Sequence, residues 1–187
     1  MTTTPELEAG TMGILNSPFG KKPACSDPSR QPPSQVEYRL EPYDSEEGSG
    51  FVVQTSDGVR LQWRSLPVGD GLQSLSVVGT QYHPTPLQDA AFDPGQPVCL
   101  VPERDSPHDP NSIGVWDRDR SMQVGYVPAA DAGRLRREFQ KGRKYRCMVV
   151  WETTAGADGE RIGLRILLVA EGAKLDFGLD GFPWSPA

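Results

Sequence analysis

Residues that bind metals or form disulfides are scarce in this chain of 187 residues. It contains only three cysteines, Cys25, Cys99 and Cys147, and two histidines. No two of them have the short spacing typical of zinc ligands, and an odd number of distant cysteines does not indicate a disulfide framework. We therefore expect no metal and no other cofactor, a reducing compartment, and Cys99 and Cys147 as small buried side chains.

Long apolar segments are absent as well. No run comes near the roughly eighteen apolar residues of a membrane-spanning helix, and the first residues lack the apolar core of a signal peptide. These absences predict a cytoplasmic protein that does not interact with a membrane. Arginine outnumbers lysine by 14 to 5, which favours a bacterial source with GC-rich DNA.

The sequence patterns of common enzymes are also missing. The chain has no P-loop, no GxGxxG motif, and no Ser-His-Asp or Cys-His arrangement that can be placed. His83 and His108, with Asp105 or Asp109, come nearest to an acid–base pair or a metal site, but there is no third histidine. We therefore expect a protein that is not an enzyme.

Positive charge is local in this sequence. The net charge is −6, and residues 75–170 carry twelve acidic and twelve basic residues. A chain with this balance is poorly suited to coat long nucleic acid non-specifically, because such binding depends on neutralising many phosphates. A small ligand or the end of a nucleic-acid strand suits it better.

Turn-forming residues are abundant, with 20 glycines and 18 prolines, and the hydrophobic content of 36% is low. From residue 75 onward, short apolar or alternating runs are separated by turn-rich loops, a spacing typical of a small β-barrel or sandwich. The predicted strands are Leu75–Tyr82, Pro97–Val101, Ile113–Trp116, Met122–Val127, Tyr145–Trp151 and Ile162–Val169. In the last strand, the alternation predicts one packed face and one face that partly meets water.

The first 35 residues have no sustained periodicity. Residues 1–35 are rich in proline, serine and threonine and cannot bury enough apolar surface to offset the entropy of ordering, so we predict that they are disordered. Ile14, Leu15 and Phe19 give the alternative of a docking peptide for a protein partner.

Two further segments flank the predicted barrel. Residues 36–72 are predicted to form a β extension, with a hairpin in which Phe51–Thr55 and Val59–Trp63 flank a turn at Ser56–Gly58. The tail of residues 171–187 contains three aromatic side chains. It either packs on its own domain, which we favour, or binds a protein partner.

One principal helix is predicted over Pro128–Gln140. Ala132, Leu135 and Phe139 share one face, and Gly142 is suited to end the helix. The densest positive patch in the chain lies on the outer face and just beyond it, and comprises Arg134, Arg136, Arg137, Lys141, Arg143, Lys144 and Arg146. Such a patch is either a solvated helix face or a nucleic-acid contact.

Three motifs follow one another in the barrel region. They are Val77-Val-Gly-Thr-Gln-Tyr82, then Pro97 to Val115 with its loop Pro107-His-Asp-Pro-Asn-Ser-Ile113, then Gln123-Val-Gly-Tyr-Val-Pro128. In this order they resemble the HIRAN domain, the N-terminal module of the helicase-like transcription factor family of fork-remodelling ATPases and a stand-alone domain in bacteria. The resemblance implies an OB-like β-barrel over residues 73–170, in a mainly β fold with one principal α-helix and an added N-terminal β-hairpin.

The resemblance also implies a function, the capture of the 3′ end of single-stranded DNA during DNA repair or replication-fork processing, with a nucleoid-associated location. Asp109 matches the acid that bonds the free 3′-hydroxyl, and Tyr82 matches the first aromatic that stacks on a base. Asn111 matches the asparagine that braces the loop, and Tyr126 faces the same groove.

Four further positions differ from the eukaryotic members, which have arginine, tyrosine, asparagine and tyrosine where this chain has Gln81, His83, Ser106 and His108. Together with the basic patch, the predicted DNA-binding residues are Gln81, Tyr82, His83, Ser106, His108, Asp109, Asn111, Tyr126, Arg134 and Arg137.

The residues alone leave alternatives open. A carboxylate accepts hydrogen bonds and repels phosphate, so Asp109 suits a free 3′-hydroxyl, or else it closes an Asx turn on its own backbone. Tyr82 and Tyr126 either stack on bases or fill the mouth of the barrel. The alternative function is a protein or peptide interaction module that does not bind DNA.

Overall fold

The computed structural model describes residues 37–103, 109–155 and 159–186, and within these ranges the protein is mainly β. The strands are β1 (Tyr38–Ser45), β2 (Gly48–Thr55), β3 (Arg60–Leu61), β4 (Leu72–Ser76), β5 (Pro97–Pro102), β6 (Ile113–Asp117), β7 (Gln123–Tyr126), β8 (Tyr145–Ala155), β9 (Glu160–Ala170), β10 (Leu175–Asp176) and β11 (Trp184–Ser185). The helices are α1 (Pro84–Leu87) and α2 (Ala129–Gln140). No helix in these ranges is long and apolar enough to cross a membrane. The predicted disorder of residues 1–35 lies outside the described residues.

Six antiparallel strands form a curved sheet in the order β4-β9-β8-β5-β6-β7. Just beyond β4, Val77 still donates its backbone N–H to Leu164 of β9, at 2.9 Å, but Val78 exchanges two hydrogen bonds with Tyr126 of β7, at 2.8 and 2.9 Å. This bridge joins the two ends of the sheet over a single residue pair. The predicted OB-like barrel is therefore confirmed, in the partly open form common to that fold.

Inward-facing side chains fill the barrel, and α2 covers it. Val98 and Ile166 are buried in the same cluster as Ala132 and Leu135 of the helix, with Phe139 packed beside them. The predicted helix is confirmed, with its apolar face as expected from the spacing of these residues. Its first predicted residue, proline 128, is the N-cap and not part of the helix.

Residues 147–150 of β8 and 166–170 of β9 are buried on both faces of the sheet. Met148, Leu167 and Val169 belong to a second apolar cluster, formed with the β1–β2 hairpin and the C-terminal tail. The prediction that one face of β9 partly meets water was wrong over this part of the strand, because an alternating pattern does not reveal what another segment covers. The tail packs here through Leu179, and β11 pairs with β8.

The N-terminal hairpin differs from the predicted one. The long hairpin consists of β1 and β2, paired from Tyr38–Thr55 to Ser45–Gly48. The turn predicted after Thr55 is present, but β3 has only two residues, and the predicted strand Val59–Trp63 was wrong because the chain enters a 3-10 turn at Trp63. Val59, at the start of this segment, is 54% exposed.

Two glycines allow β2 to cross closely over β8. A methyl group on Gly48 or Gly50 would lie 1.9 Å or 2.2 Å from a backbone oxygen of β8, and both residues have φ of 151°. Side chains other than hydrogen do not fit at this distance, and L-residues rarely adopt this φ. These glycines therefore determine where the hairpin joins the barrel.

A third glycine ends the first barrel strand. The prediction of a strand over Leu75–Tyr82 was wrong, because β4 ends at Ser76 and Gly79, with φ of 77°, turns the chain into a 3-10 turn at Thr80–Tyr82. A positive φ is accessible to glycine without strain. Tyr82 is therefore carried by a turn and not by a strand.

The two described cysteines are buried and not in disulfides, as predicted. Burial raises the pKa of the Cys147 thiol, and to a lesser extent that of Cys99. Both thiols therefore stay protonated at neutral pH and act as small apolar side chains.

Candidate functional site

The turn after Gly79 presents a largely exposed aromatic ring. Tyr82 is 79% exposed. Its backbone N–H donates to Gly79 O at 3.0 Å, and the next amide, of His83, donates to Thr80 O at 2.9 Å. Gln81 lies on the same turn and is also exposed. The backbone of this turn is fixed, whereas the Tyr82 ring is free to meet a ligand.

Two further rings lie beside this turn. The Val78–Tyr126 bridge holds the end of β7 against it, and the His83 and Tyr126 ring centroids are 6.2 Å apart. A methyl group on Gly79 would lie 3.5 Å from the Tyr126 ring and 3.9 Å from the Tyr82 ring. The structure therefore brings together three of the predicted residues, Tyr82, His83 and Tyr126, around one glycine.

The loop between β5 and β6 carries the predicted acid. The Oδ1 atom of Asp109 accepts a hydrogen bond from the Asn111 backbone N–H at 2.7 Å, and its carbonyl accepts one from the Ser112 N–H at 3.0 Å. This is the Asx turn considered above, and Asn111 contributes its amide while its side chain is exposed. The second carboxylate oxygen of Asp109 has no hydrogen-bond partner among the described residues. Two predicted site residues, Ser106 and His108, lie outside those residues.

The strand register places this loop at the same end of the barrel as Tyr126. Ile113, the first residue of β6, pairs with Pro102 at the end of β5, and the next residue of β6, Gly114, pairs with Tyr126. The Val127 N–H also donates to Ile113 O at 2.9 Å. Asp109 is four residues before Ile113. The end of its loop therefore lies where β7 meets the Tyr82 turn.

Hydrogen bonds between the two ends of the β5–β6 loop close this loop at its base. The sequence analysis did not predict them. Glu103 and Ser112 pair through their backbones at 3.0 Å and through their side chains at 3.2 Å. The Nη1 atom of Arg136, on α2, donates hydrogen bonds to the carbonyl oxygens of both residues, at 3.2 and 3.4 Å. The prediction that Arg136 lies on the outer face was wrong. Its spacing of four from Ala132 and three from Phe139, on the packed face, could have revealed this.

The basic patch is less available than predicted. Arg134 is bonded to Glu138 at 3.0 Å, to Asp131 at 3.4 Å and to the Gln73 side chain of β4 at 2.6 Å. These contacts hold its charge on the β4 side of the helix. Arg137, the other predicted contact, is exposed.

A second missed residue fixes the segment that follows the Tyr82 turn. Arg161 is buried and donates to Glu152 at 2.6 Å and to Asp93 at 2.5 Å. It also donates to the carbonyl oxygens of Leu87 and Asp89, at 2.8 and 3.2 Å. One guanidinium on β9 thus anchors α1 and the turn after it.

Metal chemistry has no visible basis in the described part of the chain. Over those residues, no group of three or more His, Cys, Asp or Glu side chains could hold a metal ion. The site consists of exposed or half-buried rings, one carboxylate and backbone groups, which can stack on flat ligands and accept hydrogen bonds.

Comparison with known proteins identifies the family. The family model of the HIRAN domain matches residues 70–170, more than half of the chain. The chain is similar to the crystal structure of the HIRAN domain of human HLTF, with 21% identity over 54% of this chain and 77% of that chain and a TM-score of 0.40. It is also similar to the crystal structure of a protein from Lactobacillus plantarum, with 17% identity over 52% of this chain and 91% of that chain and a TM-score of 0.37.

No curated protein matches the chain. The family predicted from the three motifs is confirmed by the family match. The chain belongs to the HIRAN domain family, which is known as a DNA-binding module.

Proposed function

We propose that this protein is a non-catalytic module that binds the 3′ end of single-stranded DNA and recognises the free 3′-hydroxyl, in DNA repair or replication-fork processing. In this proposal Asp109 accepts the hydrogen bond of the hydroxyl, and Tyr82 stacks on a terminal base. Tyr126 and His83 form the wall behind it.

The observation that carries this proposal is the hydrogen bonding of the Asp109 carboxylate. One oxygen is held by the Asn111 amide, and the other has no partner among the described residues. A carboxylate accepts hydrogen bonds and cannot donate them. It therefore favours a hydroxyl and repels a terminal phosphate, which is a chemical basis for distinguishing the two kinds of 3′ end.

The exposure of Tyr82 supports a stacking role. Its ring is largely accessible to solvent, and its turn is held by backbone hydrogen bonds. Stacking of a base on an aromatic ring contributes about 1–3 kcal/mol and tolerates any base. Sequence-independent binding of a strand end is the expected result.

A fluorescence anisotropy titration tests the proposal, with oligonucleotides that end in a 3′-hydroxyl or a 3′-phosphate. The protein should bind the hydroxyl end more tightly. Asp109→Asn keeps an oxygen for the Asn111 amide but removes the charge, so the preference should collapse through tighter binding of the phosphate end. Asp119→Asn, an exposed aspartate in the β6–β7 turn, is the matched control and should keep the preference.

Two results would overturn the proposal. One is equal affinity of the unaltered protein for both ends. The other is an absence of binding at low salt, where phosphate contacts are strongest. The second result would favour the alternative, a peptide-binding module on the same barrel.

A further inference from the structure

A second candidate site lies between the added hairpin and the barrel. A groove of about 970 Å³ is lined on one side by the β1–β2 hairpin and the segment from β3 to Trp63, and on the other by β8, β9 and the chain from Ser76 to Thr80. Neither Tyr82 nor Asp109 lines it. Thr80, however, begins the turn that carries Tyr82. The groove thus leads up to the proposed end site without being part of it.

Aromatic rings line this groove. Tyr43 and Trp151 are stacked, with ring centroids 5.9 Å apart and planes inclined by 29°, and Tyr43 is 38% exposed. Trp63 lines the groove from the segment after β3 and is half-buried. The Arg60 guanidinium lies over the Tyr43 ring, 5.4 Å from its centroid. Rings and guanidinium groups in one groove are the combination on which successive bases of a single strand stack.

The Arg165 guanidinium in the groove has no negatively charged partner among the described residues. Arg165 of β9 is half-buried, and its Nη1 atom donates a hydrogen bond of 3.4 Å to the Ser74 hydroxyl. No carboxylate lies within 4 Å of it among the described residues, whereas Arg161 on the same strand has two. Burial and the nearby charge of Arg64 lower the pKa of Arg165. A bound anion would offset both of these unfavourable effects.

The charges of the lining residues differ between the hairpin turn and the barrel side of the groove. Glu46 and Glu47 line it at the turn of the β1–β2 hairpin, and Arg165 lines it on the barrel side, where Thr80 also lies. Phosphates are therefore favoured on the barrel side, next to the proposed end site, and disfavoured at the hairpin turn.

We propose that this groove binds a short stretch of single-stranded nucleic acid, with phosphates at Arg165 and Arg60 and bases against Tyr43, Trp151 and Trp63. The bound stretch is the part of the strand 5′ to the captured end, and in this respect alone the inference rests on the proposed function. Most of these contacts come from residues before 70, outside the region that the family model matches. The hairpin therefore extends the binding surface of the domain.

Oligonucleotides of two lengths distinguish binding in the groove from binding at the end site. Oligothymidylates of about three nucleotides reach the end site, and those of about ten reach the groove as well. By fluorescence anisotropy the longer strand should bind more tightly and should quench tryptophan fluorescence more. Its affinity should also fall more steeply with salt, because it contacts more phosphates.

Substitutions in the hairpin then test the contacts. Tyr43→Ala should weaken binding of the longer strand by about 5- to 150-fold, the range expected for loss of one stacked base, and leave the shorter strand unaffected. Arg60→Gln should reduce its salt dependence. Arg39→Gln changes an exposed arginine of the same hairpin that does not line the groove, and it should have no effect. Because Tyr43 and Arg60 are exposed, unchanged thermal midpoints will show that the variants are folded.

Equal affinity for the two lengths would overturn the proposal that the groove binds nucleic acid. Equal effects of Arg60→Gln and Arg39→Gln would overturn it as well. The proposal would also be overturned if an oligoglutamate of similar length displaced the longer strand as well as an oligothymidylate does. That result would assign the groove to acidic peptides. A different result is expected if the proposed 3′-end site is wrong. Strands with a 3′-hydroxyl and a 3′-phosphate would then bind equally well, while the longer strand would still bind more tightly than the shorter one.

Discussion

Replacement of Arg161 by methionine should strongly destabilise the fold. This guanidinium is buried and makes four hydrogen bonds, to the carboxylates of Glu152 and Asp93 and to the carbonyl oxygens of Leu87 and Asp89. Methionine retains the apolar part of the side chain but donates no hydrogen bond. The partners that depend on Arg161 would lose their donor while remaining in place.

The exposure of each partner determines the magnitude. The Glu152 side chain is only 18% exposed, so its charge would be left without a counterion in a poorly solvated position. Asp93 is 50% exposed, and water can replace much of its lost contact. Removal of one partner from a buried ion pair costs about 3–5 kcal/mol. For a domain of this size that corresponds to a fall in Tm of about 6–20 °C.

Urea unfolding followed by tryptophan fluorescence measures this effect. With a slope of about 2 kcal/mol per molar urea, the midpoint should fall by about 2 M. Arg118→Met is the matched control, because the Arg118 side chain is exposed and makes a single hydrogen bond among the described residues, to Gly181 O. This substitution should change stability by less than about 0.5 kcal/mol. Adding Glu152→Gln to Arg161→Met should recover about 1–3 kcal/mol, because the unpaired charge is then gone.

The reasoning is refuted if Arg161→Met costs no more than Arg118→Met. It is also refuted if the loss is large but Glu152→Gln recovers none of it. In that case the stabilisation would come from the carbonyl contacts or from packing, and not from the ion pair.

Three further predictions concern the hairpin, high pH and the loop base. Gly50→Ala should cost about 1–3 kcal/mol in urea unfolding, because its methyl group would overlap the β8 backbone, whereas Gly69→Ala, with open space around it, should cost less than about 0.5 kcal/mol. Burial and a hydrogen bond to a carboxylate raise the pKa of Tyr38 from 10.0 to about 12. Its stabilisation should therefore be complete below about pH 10 and be lost as the pH rises towards 12, and Tyr38→Phe should flatten this loss in unfolding measured between those values. Arg136→Met should speed amide hydrogen exchange at both ends of the β5–β6 loop and weaken the preference for a 3′-hydroxyl, whereas Arg118→Met, at an exposed arginine outside the predicted site, should have neither effect.

Much of the fold could be predicted from local patterns. Strands β5 to β9 follow runs of apolar or alternating residues, and helix α2 follows the spacing of Ala132, Leu135 and Phe139. These elements are local, because a period of two or 3.6 residues directly specifies which side chains share a face. The three motifs likewise lie within short stretches, which made the family recognisable.

The candidate site was predictable only in part. Tyr82, Tyr126 and Asp109 were identified from the motifs, and the structure places the first two beside Gly79 and the third on a loop that starts next to β7. The roles of Arg134 and Arg136 were not, because a run of arginines shows charge but not direction. Arg134 turns to β4 and Arg136 to the loop base.

The amino-acid sequence alone was enough to predict the family, the mainly β secondary structure and the candidates for the stacking and acidic residues. The tertiary structure was needed to show that Gly48 and Gly50 seat the hairpin on β8, that Arg161 anchors α1, and that Arg165 has no carboxylate partner among the described residues. Each of these depends on atoms from segments far apart in the chain, and the close approach of such segments is set by packing of the whole domain. A local sequence pattern does not specify how closely such segments approach one another in the folded protein.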